Sequence, residues 1–346
     1  MISKKSVISK RIVIVMTSVL LLGLAACGES DDSGAASGDE SAAESKGTIA
    51  YAVAGDRNDG GYYQGQVDAI EAAAEAAGYD VVVVDKVNPS AAQETFENLA
   101  RQAPSLIIAG GSELSGGMIP VSESPEFADI DFLVVTAAPP STDTYATVGA
   151  NEKHAHLMGG IASALVLQRT GATKACIVAG PELPFVQSAE AAMREGLALV
   201  DESFELMVTY TGSFEDAALA QEAASSLAAN GCSLMYPYLG GAVTAAVKAS
   251  NDAGVPATAT SIDRCGDTSA DFAASILYNP SLYLEQVIKA YAAGEMTEGE
   301  SLGVFGAGDG VGIGAVVCDA TPEEQATLDD FSEQLAAGEL DAHLGS

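Results

Sequence analysis

Chemistry-bearing residues in this chain collect just past the ends of apolar runs. The stretch "GDRNDGGYY" (55–63) places Asp59, two glycines and the adjacent Tyr62 and Tyr63 where one run stops. Other runs are followed by "GGSELSGG", by "TAAPPS" with Thr136, and by "GPELPF" with Phe185. Further on come "YTGSFED" with Phe214, "YLGGA" with Tyr238, Gly240 and Gly241, and "SIDRCG" with Asp263. Aromatic rings with a few polar groups suit a small-molecule cleft. Asp59 can cap a following helix. Tyr63, Val67, Ile70, Ala74 and Ala77 recur at helical steps, so Tyr63 is expected to lean toward the core. Tyr62, about a third of a turn further round, is then free to stack a planar ligand at the cleft mouth or to pack on the next loop. Asp263 can accept hydroxyl hydrogen bonds from ribose or another sugar, or cap its own turn.

Catalysis finds no comparable set of residues. His154 and His156 are two apart in a helical stretch and point to different faces, a poor metal site, while His343 lies in the tail. "GAGDGVGIG" (306–314) leads toward another apolar run and not into a helix, as a dinucleotide fingerprint would. No G-x-S-x-G elbow occurs. The reading is a binding protein and not an enzyme, with neither metal nor cofactor.

The elements that must position these loops alternate regularly. Strands are expected at 48–54, 80–85, 105–111 and 131–138, then at 174–180, 204–212, 232–241, 257–263 and 272–279, with a glycine-linked pair within 301–318. Helices are expected at 62–77, 89–103, 152–169, 185–200, 215–230, 242–253, 281–293 and 322–337. Continuous Val/Ile/Leu runs between helices mean parallel sheets buried on both faces. Two such series imply an α/β chain of two Rossmann-like lobes. The late elements complete both lobes through crossing segments. We place lobe 1 at 48–149 plus 264–298 and lobe 2 at 150–263 plus 299–346. In open parallel sheets ligands gather at the carboxyl ends of the strands, where the loops above lie.

The N-terminus reads as an export signal. Lys4, Lys5, Lys10 and Arg11 precede "IVIVMTSVLLLGLAA", a short apolar segment. It ends in "LAAC", which resembles the lipobox of bacterial lipoproteins. That resemblance implies a leader over 1–26 and a lipid-bearing Cys27, with 27–47 as a small, acidic, flexible tether. The body is then held at the membrane by its anchor alone and faces outward. The chain has 15 Lys and Arg against 48 Asp and Glu, which excludes a nucleic-acid partner, since phosphate neutralisation needs cations. Outside the cytoplasm cysteines can pair. Cys265 and Cys318, both near loops, are the preferred disulfide, with free thiols as the alternative. Cys176 and Cys232 fall in apolar runs and read as small buried hydrophobes.

Ordered blocks extend this likeness over most of the chain. They are "NDGGYYQGQVDAIEAAAE", "VGANEKHAHLMGGIASALV", "YTGSFEDAALAQEAASSLAANGCSLMYPYLGGAVTAAVKA", "SIDR" and "GVGIGAV". Together they resemble the basic membrane protein family, lipoproteins that are purine nucleoside receptor-type solute-binding proteins of ABC transporters. The resemblance implies a type I periplasmic-binding fold with a three-crossover hinge. It also implies a nucleoside-like ligand in the cleft and delivery to a permease with its ATPase. It assigns the cleft aromatic to Tyr62, its acid to Asp59, the ribose carboxylate to Asp263 and the glycine pair to Gly240 and Gly241. The family's Asn, acid and lysine fall at Tyr63, Thr136 and Tyr278 here. A sugar or other small polar solute is the alternative ligand, and a surface sensor without transport the alternative role.

Overall fold

Short β-branched runs and alanine-rich amphipathic helices produce two α/β lobes in the computed structural model, which describes residues 45–59, 61–135, 142–296, 299 and 301–344. The expected leader, Cys27, most of the tether and Thr136 lie outside the described residues. The first lobe begins with β1 (Thr48–Ala52), α1 (Tyr62–Ala77), β2 (Asp80–Val84), α2 (Ala92–Ala100) and β3 (Leu106–Ala109). It continues with α3 (Ser112–Ser122), β4 (Asp131–Val135) and β5 (Ala146–Ala150). α4 (Glu152–Thr170) opens the second lobe. There follow β6 (Lys174–Ala179), α5 (Pro184–Val200), β7 (Glu205–Tyr210), α6 (Ala217–Ala229) and β8 (Leu234–Tyr238). Next are α7 (Val243–Asp252), β9 (Ala257–Ser261) and β10 (Phe272–Leu277). α8 (Ser281–Ala292), β11 (Ser301–Phe305), β12 (Gly314–Val317) and α9 (Pro322–Ala336) finish the chain.

Each lobe has a six-stranded sheet, in the order β11-β5-β4-β3-β1-β2 and β12-β10-β9-β8-β6-β7. All pairings are parallel except β12 on β10. The strand placement corrects the expected boundaries. β10, assigned above to lobe 1, pairs with β9 in the second sheet, and β11, assigned to lobe 2, pairs with β5 in the first. The chain therefore changes sheets between β5 and β6, between β10 and β11, and between β11 and β12, three crossings in all. Hydrophobicity alone cannot assign such strands, because an apolar run suits either sheet.

Two further expectations fail. "SELSGGMIPVS" is the helix α3, although two glycines and Pro120 argue for a loop. Gly117 permits it, because a Cβ there would meet Gln93 N at 2.6 Å, so α3 rests directly on the start of α2. β2 is not buried on both faces: it is the sheet edge, and Val82 is exposed.

α4 carries the second lobe. From Ala155 to Leu167 it is buried on every side, against α5, β10 and β12. Its contact with α5 is backbone on backbone: a Cβ at Gly160 would lie 2.2 Å from Met193 O, and one at Gly196 would lie 2.1 Å from Leu157 O. Main-chain oxygens within helices cannot turn aside. Gly196→Ala is therefore expected to lower the unfolding free energy by about 1–3 kcal/mol in urea titration. Gly116→Ala, where a Cβ meets nothing within 4 Å, is expected to change stability little or to raise it by about 0.4–1 kcal/mol.

Two disulfides close the second lobe, Cys176–Cys232 and Cys265–Cys318, with Cα separations of 5.9 and 5.0 Å. The second is the expected pair. The first corrects the reading of Cys176 and Cys232 as isolated hydrophobes. β6 and β8 are adjacent in the sheet, so Cys176 in β6 meets Cys232 just ahead of β8.

Candidate functional site

Parallel strands bring their carboxyl ends to one edge of each sheet, and the loops after those ends carry the aromatic residues. Asp59 organises the first loop. Its Oδ1 accepts from Gly61 N at 2.8 Å and Gln64 N at 3.0 Å, and its Oδ2 accepts from Tyr63 N at 3.1 Å. Both carboxylate oxygens thus satisfy amides of the first turn of α1, which has no side-chain cap at Gly61 itself.

That turn presents both tyrosines. Tyr62 and Tyr63 meet edge to face, with ring centroids 5.3 Å apart. Tyr63 is half-buried and packs against the core, as expected, at the end of the buried stripe of α1, which runs through Gln66, Val67, Ile70, Ala73 and Ala74. Its ring lies on Gly55, where a Cβ would come within 2.1 Å of it, and its hydroxyl donates to Glu113 Oε1 at 3.2 Å. Tyr62 turns toward the other lobe, 6.4 Å from Tyr278 between centroids. Its carbonyl accepts from Asn279 Nδ2 at 3.0 Å and from Gln66 Nε2 at 3.2 Å. The β10–α8 crossing is thereby tied to the start of α1.

The second lobe repeats the device. Phe214 lies on Gly180, the residue after β6, as Tyr63 lies on Gly55 after β1; a Cβ at Gly180 would be 2.3 Å from its ring. Phe185 stacks on Phe214 at 6.1 Å and stands edge-on to Tyr238 at 6.3 Å. Phe185 is 49% exposed and Tyr238 7%, so the group runs from the surface inward. Gly240 and Gly241 adjoin the same loop. Gly240 N donates to Phe214 O at 3.0 Å and Gly241 N to Glu215 Oε2 at 3.1 Å.

Below the rings is a buried polar relay that sequence reasoning missed. Tyr238 donates to Glu152 Oε2 at 3.2 Å. His156 Nδ1 sits 2.7 Å from Glu152 O, and its Nε2 3.1 Å from the Tyr236 hydroxyl. With a carbonyl at one nitrogen, the proton is on Nδ1, and Nε2 accepts from Tyr236. Tyr278 joins it, its ring 5.2 Å from His156 and 6.3 Å from Tyr238. Burial lowers the His156 pKa to about 4, keeping the ring neutral, and raises that of Glu152. Burial also lifts the Tyr62, Tyr238 and Tyr278 hydroxyls well above their usual range. The one sequence cue to Glu152 and His156 is their place in the first turns of a helix directly after an apolar strand.

Asp263 is exposed beyond β9. Its Oδ1 accepts from Cys265 N at 2.9 Å and from Ser275 Oγ at 3.3 Å, which makes it a turn cap. Among the described residues no group of His, Cys, Asp and Glu is arranged to hold a metal ion.

Two lobes of mostly parallel strands carry aromatic rings on the loops past their strand ends. The model of the Bmp family, ABC transporter substrate-binding protein PnrA-like, matches residues 46–340. The chain belongs to this family. Solved structures agree on the Bmp fold. A solute-binding protein of an ABC transporter system from Conexibacter woesei is 25% identical with a TM-score of 0.69, covering 85% of this chain and 97% of that one. The corresponding protein from Aeropyrum pernix K1 is 17% identical with a TM-score of 0.71, covering 84% and 92%. A Caulobacter myo-inositol binding protein, solved with myo-inositol, is 16% identical with a TM-score of 0.56, covering 83% and 97%. No curated protein matches. The family is one of solute-binding proteins of ABC importers, which work outside the cytoplasm with a permease partner. Among the described residues no helix is long and apolar enough to cross a membrane.

Proposed function

We propose that this Bmp-family protein is lipid-anchored through Cys27 and binds a nucleoside-like solute between its lobes, delivering it to a permease with its ATPase. One observation supports this most. Tyr62 and Tyr63 stand at the loop after β1 and Phe185, Phe214 and Tyr238 at the loops of the second lobe, with Tyr62 and Tyr278 already 6.4 Å apart. Flat rings on two walls suit a flat solute. Asp263 has its Oδ1 in the turn, which leaves Oδ2 to accept a ribose or other hydroxyl. Gly240 and Gly241 let the backbone approach a ligand closely. The three crossings serve as a hinge about which the lobes close.

Calorimetric titration with nucleosides, sugars and amino acids tests the reading. Nucleoside binding is expected, and Tyr62→Ala should weaken it by about 1–3 kcal/mol, the range of base–aromatic stacking. Sugars binding where nucleosides give no heat would replace the nucleoside assignment, and an unchanged affinity would remove Tyr62 from the site.

A further inference from the structure

The hydroxyl protons of four tyrosines in and beneath this cleft point inward. Tyr63 donates to Glu113 Oε1 at 3.2 Å, Tyr238 to Glu152 Oε2 at 3.2 Å, Tyr51 to Gln66 Oε1 at 2.6 Å and Tyr236 to His156 Nε2. The amides of the glycine pair are also engaged, by Phe214 O and Glu215 Oε2. Among the described residues, these bonds leave a solute phenolic lone pairs, carboxylate oxygens and ring faces, all electron-rich, with the Tyr62 hydroxyl as a neutral donor beside them.

Charge runs the same way. Carboxylates from both lobes bond the groups around these rings: Glu113 takes the Tyr63 hydroxyl, Asp59 the Tyr63 amide, Glu152 the Tyr238 hydroxyl and Glu215 the Gly241 amide. Three cations of the adjoining loops are held by other acids. Arg57 pairs with Glu71 at 2.5 Å and Lys86 with Asp56 at 2.8 Å. Arg264 pairs with Asp267 and lies 4.8 Å from the Phe272 ring centroid. His156 is neutral at physiological pH. A neutral or anionic solute entering here would strip water from carboxylates and offer no positive partner. A cation would meet aromatic faces and carboxylates together, and the face of an aromatic ring attracts cations.

We propose that the solute taken by this cleft is a positively charged planar compound, such as a nucleoside whose heterocycle carries a fixed or protonation-derived positive charge. The inference rests on the interlobe cleft being the binding site, and it narrows the nucleoside reading by charge.

Two isomers of methyladenosine separate charge from shape. The isomer methylated on the ring nitrogen beside the amino group is a cation at neutral pH; the one methylated on the amino group is neutral. Calorimetry on the purified protein should find the cation bound at least tenfold more tightly. Glu113→Gln and Glu215→Gln, which keep an acceptor for Tyr63 and for Gly241 N, should each narrow that ratio. If a variant does not fold, the wild-type comparison decides by itself. Equal or tighter binding of the neutral isomer overturns the charge proposal and leaves the nucleoside reading standing. Binding of the ribose-free cation 1-methylnicotinamide, with neither isomer bound, supports the charge proposal and removes the nucleoside reading. Binding of none of the three overturns the charge proposal.

Discussion

Replacing Cys265 and Cys318 by serine should lower the free energy of unfolding by about 4 kcal/mol. The bridge closes a chain segment with a sequence separation of 53, and the unfolded ensemble gains most when a long loop is released. The bond joins the turn after β9 to the end of β12, the strand that returns the chain from the third crossing. The effect should therefore reach beyond the Asp263 loop to the seating of β12 on β10. Cys176–Cys232, with a separation of 56, should contribute a similar amount. Guanidinium unfolding of the two double-serine variants, measured beside the oxidised and reduced wild type, checks both. A loss below about 1 kcal/mol in either variant would mean that the reduced, unfolded chain is already constrained there.

The second large effect is a loss of stability in mild acid. His156 is fully buried, and its pKa falls from 6.5 to about 4 because desolvation disfavours the imidazolium. Between those values the unfolded chain binds a proton that the folded chain refuses, so unfolding gains as pH falls. The contribution is fully present above pH 6.5 and is lost on the way down to pH 4, about 3 kcal/mol in total. Glu152 opposes this. Its pKa, raised by burial, makes the folded state the stronger proton binder, which adds stability as pH falls. The difference between two proteins isolates the histidine. His156→Gln, which can still donate to Glu152 O and accept from Tyr236, should unfold with a shallower pH dependence between pH 6.5 and 4. Parallel curves for the two proteins would mean that His156 titrates normally in the folded state.

The aromatic loops were legible because parallel strands commit their carboxyl-end loops to one edge, whatever the details of packing. Much of the site was not legible for the same reason that makes it a site. Glu113 begins a helix that its glycines and proline conceal, and it reaches Tyr63 across fifty residues of sequence. Glu152, His156, Tyr236 and Tyr278 come from a helix start, the middle of one strand and the end of another, which meet only where the chain changes lobes. Asp59 and Asp263 were identifiable as acids in the right loops. Their hydrogen bonds, which commit both oxygens of one and Oδ1 of the other to backbone amides, depend on turn geometry.

By itself the sequence determined the α/β class, the two series of strands, the loops that bear aromatic rings and the acidic character of the chain. Each of these follows from local periodicity or composition, which survives any arrangement of the parts. Only the tertiary structure decided which sheet receives β10 and β11, that Cys176 meets Cys232, and that the tyrosine protons turn inward onto carboxylates. These depend on pairings between residues far apart in the chain. Such pairings are set by which apolar faces bury together, and a linear pattern of residues does not contain that choice.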